Sequence, residues 1–202
     1  MDTPNDDLLD RPALPATLQT LSDACHAFVL REVGVALDDT PDTLPLLDHA
    51  LALLREAKPE VQSLIAAAAG AYWGELIRAL YPARWVLVDD DKSDWRLELE
   101  QVFLALCPEA LALEAIAGQD ATPRAAFIVR DEDRPLLSSA LELLGEVDQD
   151  DYYRLSTRFD IVSSIIERLT AKRQTQLESQ DLPLLDEREY HASRALHIRQ
   201  MQ

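Results

Sequence analysis

Apolar residues recur at helical spacing over most of the chain. In the first such segment Leu18, Leu21, Cys25 and Phe28 fall on one face of a helix, and Gly34 marks its end. Proline in a first turn and glycine after a last turn mark further helix boundaries. The pattern predicts helices over residues 17–33, 43–54, 59–80, 108–117, 131–145 and 152–172.

The predicted helix over residues 59–80 is apolar on nearly every side, which is typical of a buried helix. Ala66, Gly70 and Gly74 lie four residues apart, so they form a strip of small side chains along it. A second backbone can approach such a strip closely. We therefore expect this helix to lie at the centre of the core.

The period changes to two after Pro82. Residues 84–88 and 95–99 alternate as strands do, and the acidic turn DDDKSD at 89–94 separates them. Residues 102–107 and 126–129 are further strand candidates. Because the first two strands are too close in sequence for a parallel crossover, the sheet should be antiparallel. The fold class predicted is mainly helical α+β: a single domain with a small antiparallel sheet of two to four strands around a buried central helix.

The chain divides into three parts. Residues 1–16 contain prolines and acidic residues and should form an extended or disordered lead. Residues 17–172 form the α+β domain, and residues 173–202 form a polar linker followed by an amphipathic C-terminal helix. The pentapeptide LPLLD occurs at 44–48 and again at 182–186, in both places as the expected start of a helix. The C-terminal segment can pack on its own domain or on a second copy of the chain, which would make a homodimer.

The charge is strongly acidic, with 37 acidic and 19 basic residues and a net charge of −18. This sign argues against non-specific binding to nucleic acid or to anionic membranes, and it favours a basic protein partner. The acidic N-terminus does not resemble a signal peptide, and no apolar run is long enough for a membrane span. Two widely separated cysteines indicate reduced thiols. We expect a soluble, cytoplasmic protein.

Glu75 is an isolated acid in the apolar central helix, and it raises two alternatives. Arg78, one turn later, can pair with it, and Arg84 follows at the strand entry. The pairing would be structural, because a buried carboxylate is costly unless it is compensated. Alternatively, Glu75, Arg78 and Arg84 line the cleft of a small-molecule enzyme. No motif for a catalytic nucleophile, a zinc site or a phosphate loop accompanies them, so no cofactor is expected.

The acidic turn contains a partial calcium-loop spacing. Asp89, Asp91, Ser93 and Glu100 occupy positions 1, 3, 5 and 12 of such a loop. Position 6, which should be glycine, is Asp94, and the flanking segments are predicted strands rather than helices. A solvated hairpin turn is therefore the prediction, and a weak divalent-cation site at Asp89, Asp91 and Ser93 is the alternative.

Four segments carry a resemblance to a known group of proteins. AAAAGAYWGELIRALYPARW, the pair WVLV and WRLEL, FLALCPEALALEAI and DYYRLSTRFDIV together resemble a family of uncharacterised bacterial proteins, over about residues 43–170. Its hallmark is a Tyr-x-Gly-Glu helix, here Tyr72 to Glu75, followed by a tryptophan-bearing strand, here at Trp85. The family has no established activity, so the resemblance implies no catalytic residue. Similar Gly-Glu/Trp modules occur in small acidic proteins suspected of immunity or partner-binding roles.

These observations together predict a non-catalytic role. The expected function is that of a soluble acidic partner-binding protein, of the immunity or inhibitor type, for a basic partner. The alternative is the small-molecule enzyme with its Glu75, Arg78 and Arg84 cleft. An enzyme should bring these three side chains together in a pocket, whereas a binding protein should present an exposed charged or apolar surface.

Overall fold

The structure, a computed structural model, describes residues 14–88, 95–121, 126–142, 148–190 and 192. It confirms a mainly helical α+β fold with one antiparallel sheet. In chain order its elements are α1 Ala16–Val33, α2 Leu44–Ala52, α3 Pro59–Leu80, β1 Ala83–Val86, β2 Arg96–Leu99, β3 Leu104–Leu106, α4 Pro108–Ala117, β4 Phe127–Val129, α5 Arg134–Glu142, α6 Gln149–Tyr152 and α7 Leu155–Leu177.

The four strands pair in sequence order, each antiparallel to the next. The predicted pairing of residues 84–88 with 95–99 is confirmed, since Trp85 lies opposite Leu97 and Arg84 opposite Glu98. Both further strand candidates are present as β3 and β4. Successive side chains of a strand point to opposite faces, so the sheet has an inner face, which carries Trp85 and Leu97, and an outer face, which carries Arg84 and Glu98.

Helix α3 is the buried centre of the fold, as predicted. Residues 66–74 are all buried along it. A Cβ added to Gly70 would lie 2.7 Å from the main chain of Pro108 and Glu109, so the start of α4 rests directly on the glycine. At Gly70 the strip of small residues therefore serves a close backbone approach, which a larger side chain would prevent.

The predicted helix over residues 152–172 is two helices. The short α6 ends at Tyr152 and α7 begins at Leu155. The break follows from a tertiary contact, because the carboxylate of Asp48 accepts hydrogen bonds from the main-chain N–H groups of Leu155 (2.6 Å) and Ser156 (3.2 Å). Helix α7 then continues to Leu177, five residues beyond the expected end of the domain at residue 172.

The second LPLLD does not start a helix, which corrects that part of the prediction. Residues 182–186 are extended and a helical turn follows at 187–190. The main-chain N–H of Leu185 donates to the carbonyl oxygen of Glu100 (2.7 Å), and this contact holds the segment against the sheet. Asp186 and Glu189 then form a reciprocal capping box. Of the predicted helix beyond Tyr190, only Ala192 is among the described residues.

Candidate functional site

Glu75 is fully engaged in contacts within the fold. Its carboxylate accepts hydrogen bonds from Nε and Nη2 of Arg78, the shorter at 2.8 Å. Oε1 also accepts the indole N–H of Trp85 at 2.7 Å. The predicted salt bridge with Arg78 is confirmed, and it lies at the junction of α3 and β1.

Gly74 completes this junction, but in a different way from the prediction, because the strip of small residues was expected to admit a second backbone and here it admits a side chain. A Cβ on Gly74 would lie 2.3 Å from the indole ring of Trp85, so the ring occupies the space of the missing side chain. Glu75 then receives the N–H of the same ring. The Tyr-x-Gly-Glu helix and the tryptophan-bearing strand are therefore two halves of one structural contact. Only the joint spacing of Gly74, Glu75 and Trp85 could have indicated this.

Arg84 does not join Glu75 and Arg78. It precedes Trp85 on β1 and so points to the outer face, away from α3. There its guanidinium contacts the carboxylates of Glu98 (3.1 Å) and Glu100 (3.7 Å). The structure thus brings together two of the three residues of the predicted cleft and places the third on the opposite side of the sheet.

The outer face holds a buried group of charges. Glu98 is only 3% exposed and binds two guanidinium groups, because Nε of Arg96 donates to it at 2.8 Å and Arg84 at 3.1 Å. The ring of Tyr190 covers Arg84, with 5.3 Å from the guanidinium carbon to the ring centroid. Paired and covered in this way, the charges avoid the cost of unpaired burial.

The predicted cation site falls mainly outside the described residues. Asp89, Asp91 and Ser93 all lie in the undescribed segment 89–94. The remaining member of the spacing, Glu100, contacts Arg84. Within the described ranges, no three His, Cys, Asp or Glu side chains are grouped so that they could hold a metal ion.

A second buried ion pair joins α4 to α7. Arg158 contacts Glu114 at 3.2 Å, and both side chains are buried. The guanidinium carbon of Arg158 also lies 4.1 Å from the ring centroid of Tyr152 and 5.1 Å from that of Tyr153. Burial raises the pKa of Glu114, and the positive charge of Arg158 opposes that rise. Tyr152 and Tyr153 thus pack around an internal arginine and tie α6 to the core.

A groove of about 270 Å³ lies between the second half of α7 and the loop that follows β4. Its rim carries Lys172, which binds Asp133 at 2.6 Å, and Arg173. Nη1 of Arg173 donates to the carbonyl oxygens of Gln101 (2.5 Å) and Pro183 (2.8 Å). The charged groups of the groove therefore bind the C-terminal segment and the loop to α7. The volume of the groove is slightly below the range of about 300–1,000 Å³ that is typical of small-molecule sites.

Exposed carboxylates gather where α1 meets the connection to α2, and we call this surface the acidic corner. Nε2 of His26 lies 2.9 Å from Oδ1 of Asp39, so the connection folds back onto α1. Asp38 accepts hydrogen bonds from Thr40 and Thr43, which lower its pKa. The acidic corner comprises the exposed residues Asp23, Glu32, Asp38, Asp39 and Asp42, of which Glu32 accepts a hydrogen bond from the exposed Arg31 at 2.7 Å. The exposed apolar side chains of Leu30 and Val35 belong to the same part of the chain.

No protein-family model, curated protein or solved structure matches this chain. The resemblance to the bacterial family with the Tyr-x-Gly-Glu helix therefore stays a prediction. What the structure adds is a structural account of that pattern, in which Gly74 and Glu75 accept the ring of Trp85.

Proposed function

We propose that this protein binds a basic protein partner through the acidic corner, as a non-catalytic binding or inhibitor-type protein. A cytoplasmic location belongs to the same proposal. Among the residues that the structure describes, no helix has the length and apolar character of a membrane span. The small-molecule enzyme is not the function we propose, because Arg84 lies across the sheet from Glu75 and Arg78.

The observation that carries the proposal is that a group of basic side chains is neutralised within the fold. Several basic side chains are buried or half-buried, and each binds a carboxylate of its own chain; the set is Arg78, Arg84, Arg96, Arg158 and Lys172. The charges of these cations and of their partners Glu75, Glu98, Glu114 and Asp133 nearly cancel, so the net charge of −18 is carried by the remaining side chains. A strongly acidic surface attracts a cationic partner and speeds its association.

The acidic corner is the best-defined part of this surface. The contact of His26 with Asp39 holds the connection between α1 and α2 beside α1. The carboxylates of the connection therefore belong to the same surface as those of α1. Because Asp23, His26 and Leu30 are three and four residues apart, they share one face of α1, next to Asp39. Leu30 is 51% exposed and Val35 is 51% exposed, which adds apolar area to the charges. Charged rims around apolar contacts are typical of protein interfaces.

Charge reversal at this corner tests the proposal. We expect that Asp23→Lys, Glu32→Lys and Asp42→Lys together abolish capture of a basic protein from a lysate of the source cells. None of the three caps the connection as Asp38 does. Captured proteins would be compared by quantitative mass spectrometry between the immobilised wild-type protein and the variant.

The matched control reverses three exposed acids elsewhere, Glu60, Asp160 and Glu167. This variant has the same net charge and should retain the partner. If the two variants lose the partner equally, only the total charge matters and the acidic corner is not the site. If wild-type protein and both variants capture the same proteins, or the captured protein is acidic, the proposed function is wrong.

A further inference from the structure

The C-terminal segment 182–190 lies as a clasp on the outer face of the sheet. Its two buried side chains, Leu185 and Tyr190, form a separate apolar cluster with Phe103 and Ala105. The ring centroids of Tyr190 and Phe103 are 4.7 Å apart. The main chain of the clasp is held as well, because Leu185 donates to Glu100 and its carbonyl oxygen accepts from Arg84 at 3.1 Å. The outer face is therefore shaped to fit this particular sequence.

The clasp is joined to α7 through a residue in an unusual conformation. Glu178 ends α7 with a φ of +49°, in the left-handed region. Helices α1 and α4 end in the same region, but there the residues are Gly34 (+79°) and Gly118 (+67°). Glycine takes this conformation without steric cost, whereas a glutamate takes it at a steric cost. The end of α7 is thus the one of these three that is held against local preference.

Relaxing Glu178 to a right-handed helical conformation would redirect the chain. Residues 178–181 (ESQD) contain neither glycine nor proline, so α7 could continue through them. Leu182 precedes Pro183, which disfavours any further helix. The bend is held by main-chain hydrogen bonds from the N–H groups of Glu178 and Ser179 to the last turn of α7. Two side-chain bonds at the exposed surface add to them, from Gln174 Nε2 to the carbonyl oxygen of Gln180 and from Ser179 Oγ to that of Asp181. An extended α7 would carry the clasp away from its own sheet.

We propose that the clasp exchanges between two copies of this chain, so that Leu185 and Tyr190 of each copy occupy the outer face of the other. Every contact of the clasp with the sheet is preserved in the exchanged dimer, and only the hinge around Glu178 changes. Exchange of an identical element is a low-cost route to a dimer. A second copy is the occupant because it alone supplies the sequence that this face already binds. This inference is independent of the proposed binding of a basic partner.

Two substitutions at the hinge test the direction of the exchange. Glu178→Gly favours the closed, left-handed bend, whereas Glu178→Ala favours continuation of α7. We expect the dissociation constant of the Glu178→Gly dimer to exceed that of Glu178→Ala by about 25-fold, roughly fivefold for each of the two hinges. Light scattering coupled to size exclusion, after refolding over a range of protein concentrations, would measure it. The side chain of Glu178 is exposed, so neither substitution removes a core contact.

Cross-linking distinguishes an exchanged dimer from any other dimer. Arg173 bonds the carbonyl oxygens of both Gln101 and Pro183, so the main chains at these two places are close together. Gln101→Cys and Leu184→Cys, in a Cys107→Ser background, should be joined by a short bis-maleimide. In the dimer fraction we expect covalent dimers on a denaturing gel, and in the monomer fraction cross-links within one chain. The control is the Cys107→Ser protein with the native Gln101 and Leu184, which should give no cross-link. The remaining cysteine, Cys25, is fully buried and should not react.

The outcomes divide clearly. Covalent dimers, together with the expected order of the two hinge variants, support the exchange. A dimer whose cross-links all lie within one chain overturns it, as does a protein that stays monomeric at every concentration in the wild-type and Glu178→Ala forms. Equal dissociation constants for the two hinge variants would also overturn it, because the hinge would then carry no preference.

Discussion

At the scale of single residues, the α3–β1 junction shows how three side chains depend on one another. Gly74 leaves room for the ring of Trp85, and Glu75 receives the N–H of that ring together with Arg78. The carboxylate of Glu75 is half-buried, and its charge is compensated on both oxygens. The contacts with Arg78 and Trp85 are therefore sufficient to explain why a single acid occurs in this apolar helix.

Replacing Glu75 by glutamine should lower the free energy of unfolding by about 1–3 kcal/mol. The change removes the charge that Arg78 binds and weakens the acceptor for Trp85, which leaves partly buried donors under-satisfied. Urea denaturation followed by tryptophan fluorescence and by circular dichroism would measure it.

The control for this change is Glu167→Gln, at an exposed position of α7 where we expect a difference within about 0.5 kcal/mol. An unchanged unfolding free energy for Glu75→Gln would contradict the structural role. Combined with loss of an activity on a small molecule, it would favour the enzyme.

At the scale of elements, the two copies of LPLLD differ in conformation, but the final aspartate has the same role in both. The first copy starts α2, and its Asp48 accepts hydrogen bonds from the first residues of α7. The second copy is extended, and its Asp186 accepts the N–H of Glu189 in the helical turn that follows. In both copies the aspartate caps a helix N-terminus, in one case across the fold and in the other locally.

Asp48 should give the stability of the protein a pH dependence of known sign. Burial raises its pKa, and the hydrogen bonds from Ser156 and Leu155 only partly oppose the rise. The folded protein therefore binds more protons here than the unfolded chain does. The contribution of Asp48 to the unfolding free energy must fall as the pH rises from about 3.9 through the folded pKa, and it stays constant above that.

Asp48→Asn removes this titration, so the stability of the wild-type protein relative to the variant should decrease with pH across that interval. Urea unfolding of both proteins at steps between about pH 3.5 and 7 would measure the difference. Asp160→Asn, at an exposed position of α7, is the control. A relative stability that grows with pH would show that the hydrogen bonds outweigh burial at Asp48.

At the scale of the whole molecule, charge is distributed unevenly between interior and surface. Paired arginines occupy the outer face of the sheet and the α4–α7 contact, while the acidic corner and much of the remaining surface are left with carboxylates. A net charge of −18 repels itself in the compact state, and this opposes folding. The buried pairs are protected from salt to a greater degree than the surface charges are.

Salt should therefore stabilise the protein. Raising NaCl from about 0.01 M to about 1 M shortens the screening length from about 30 Å to about 3 Å, which weakens surface repulsion more than the buried pairs. We expect the melting temperature to rise by several degrees, about 2–4 °C for each 1 kcal/mol gained. A parallel series in KCl checks for a specific cation effect. A melting temperature that falls with salt would mean that attractive pairs outweigh the repulsion.

The sequence by itself determined most of the elements, because their signals are local. Helix α3 begins at Pro59 and is apolar on nearly every side, and the period-two segments on either side of residues 89–94 can only pair as neighbours. The salt bridge of Glu75 with Arg78 was also predictable, since one helical turn separates them.

Only the tertiary structure decided which distant groups meet. The sequence places Arg84 near Glu75, but the alternation of side chains along β1 sends it to the other face, where Glu98 lies opposite. Asp48 interrupts the helix predicted from residue 152 through contacts more than 100 residues away. Residues 182–186 repeat a pentapeptide that is helical at 44–48, yet they are extended because Glu100 and Arg84 bind the main chain of Leu185. In each case a long-range contact outweighs a local preference, and the local sequence pattern does not indicate which distant residues will meet.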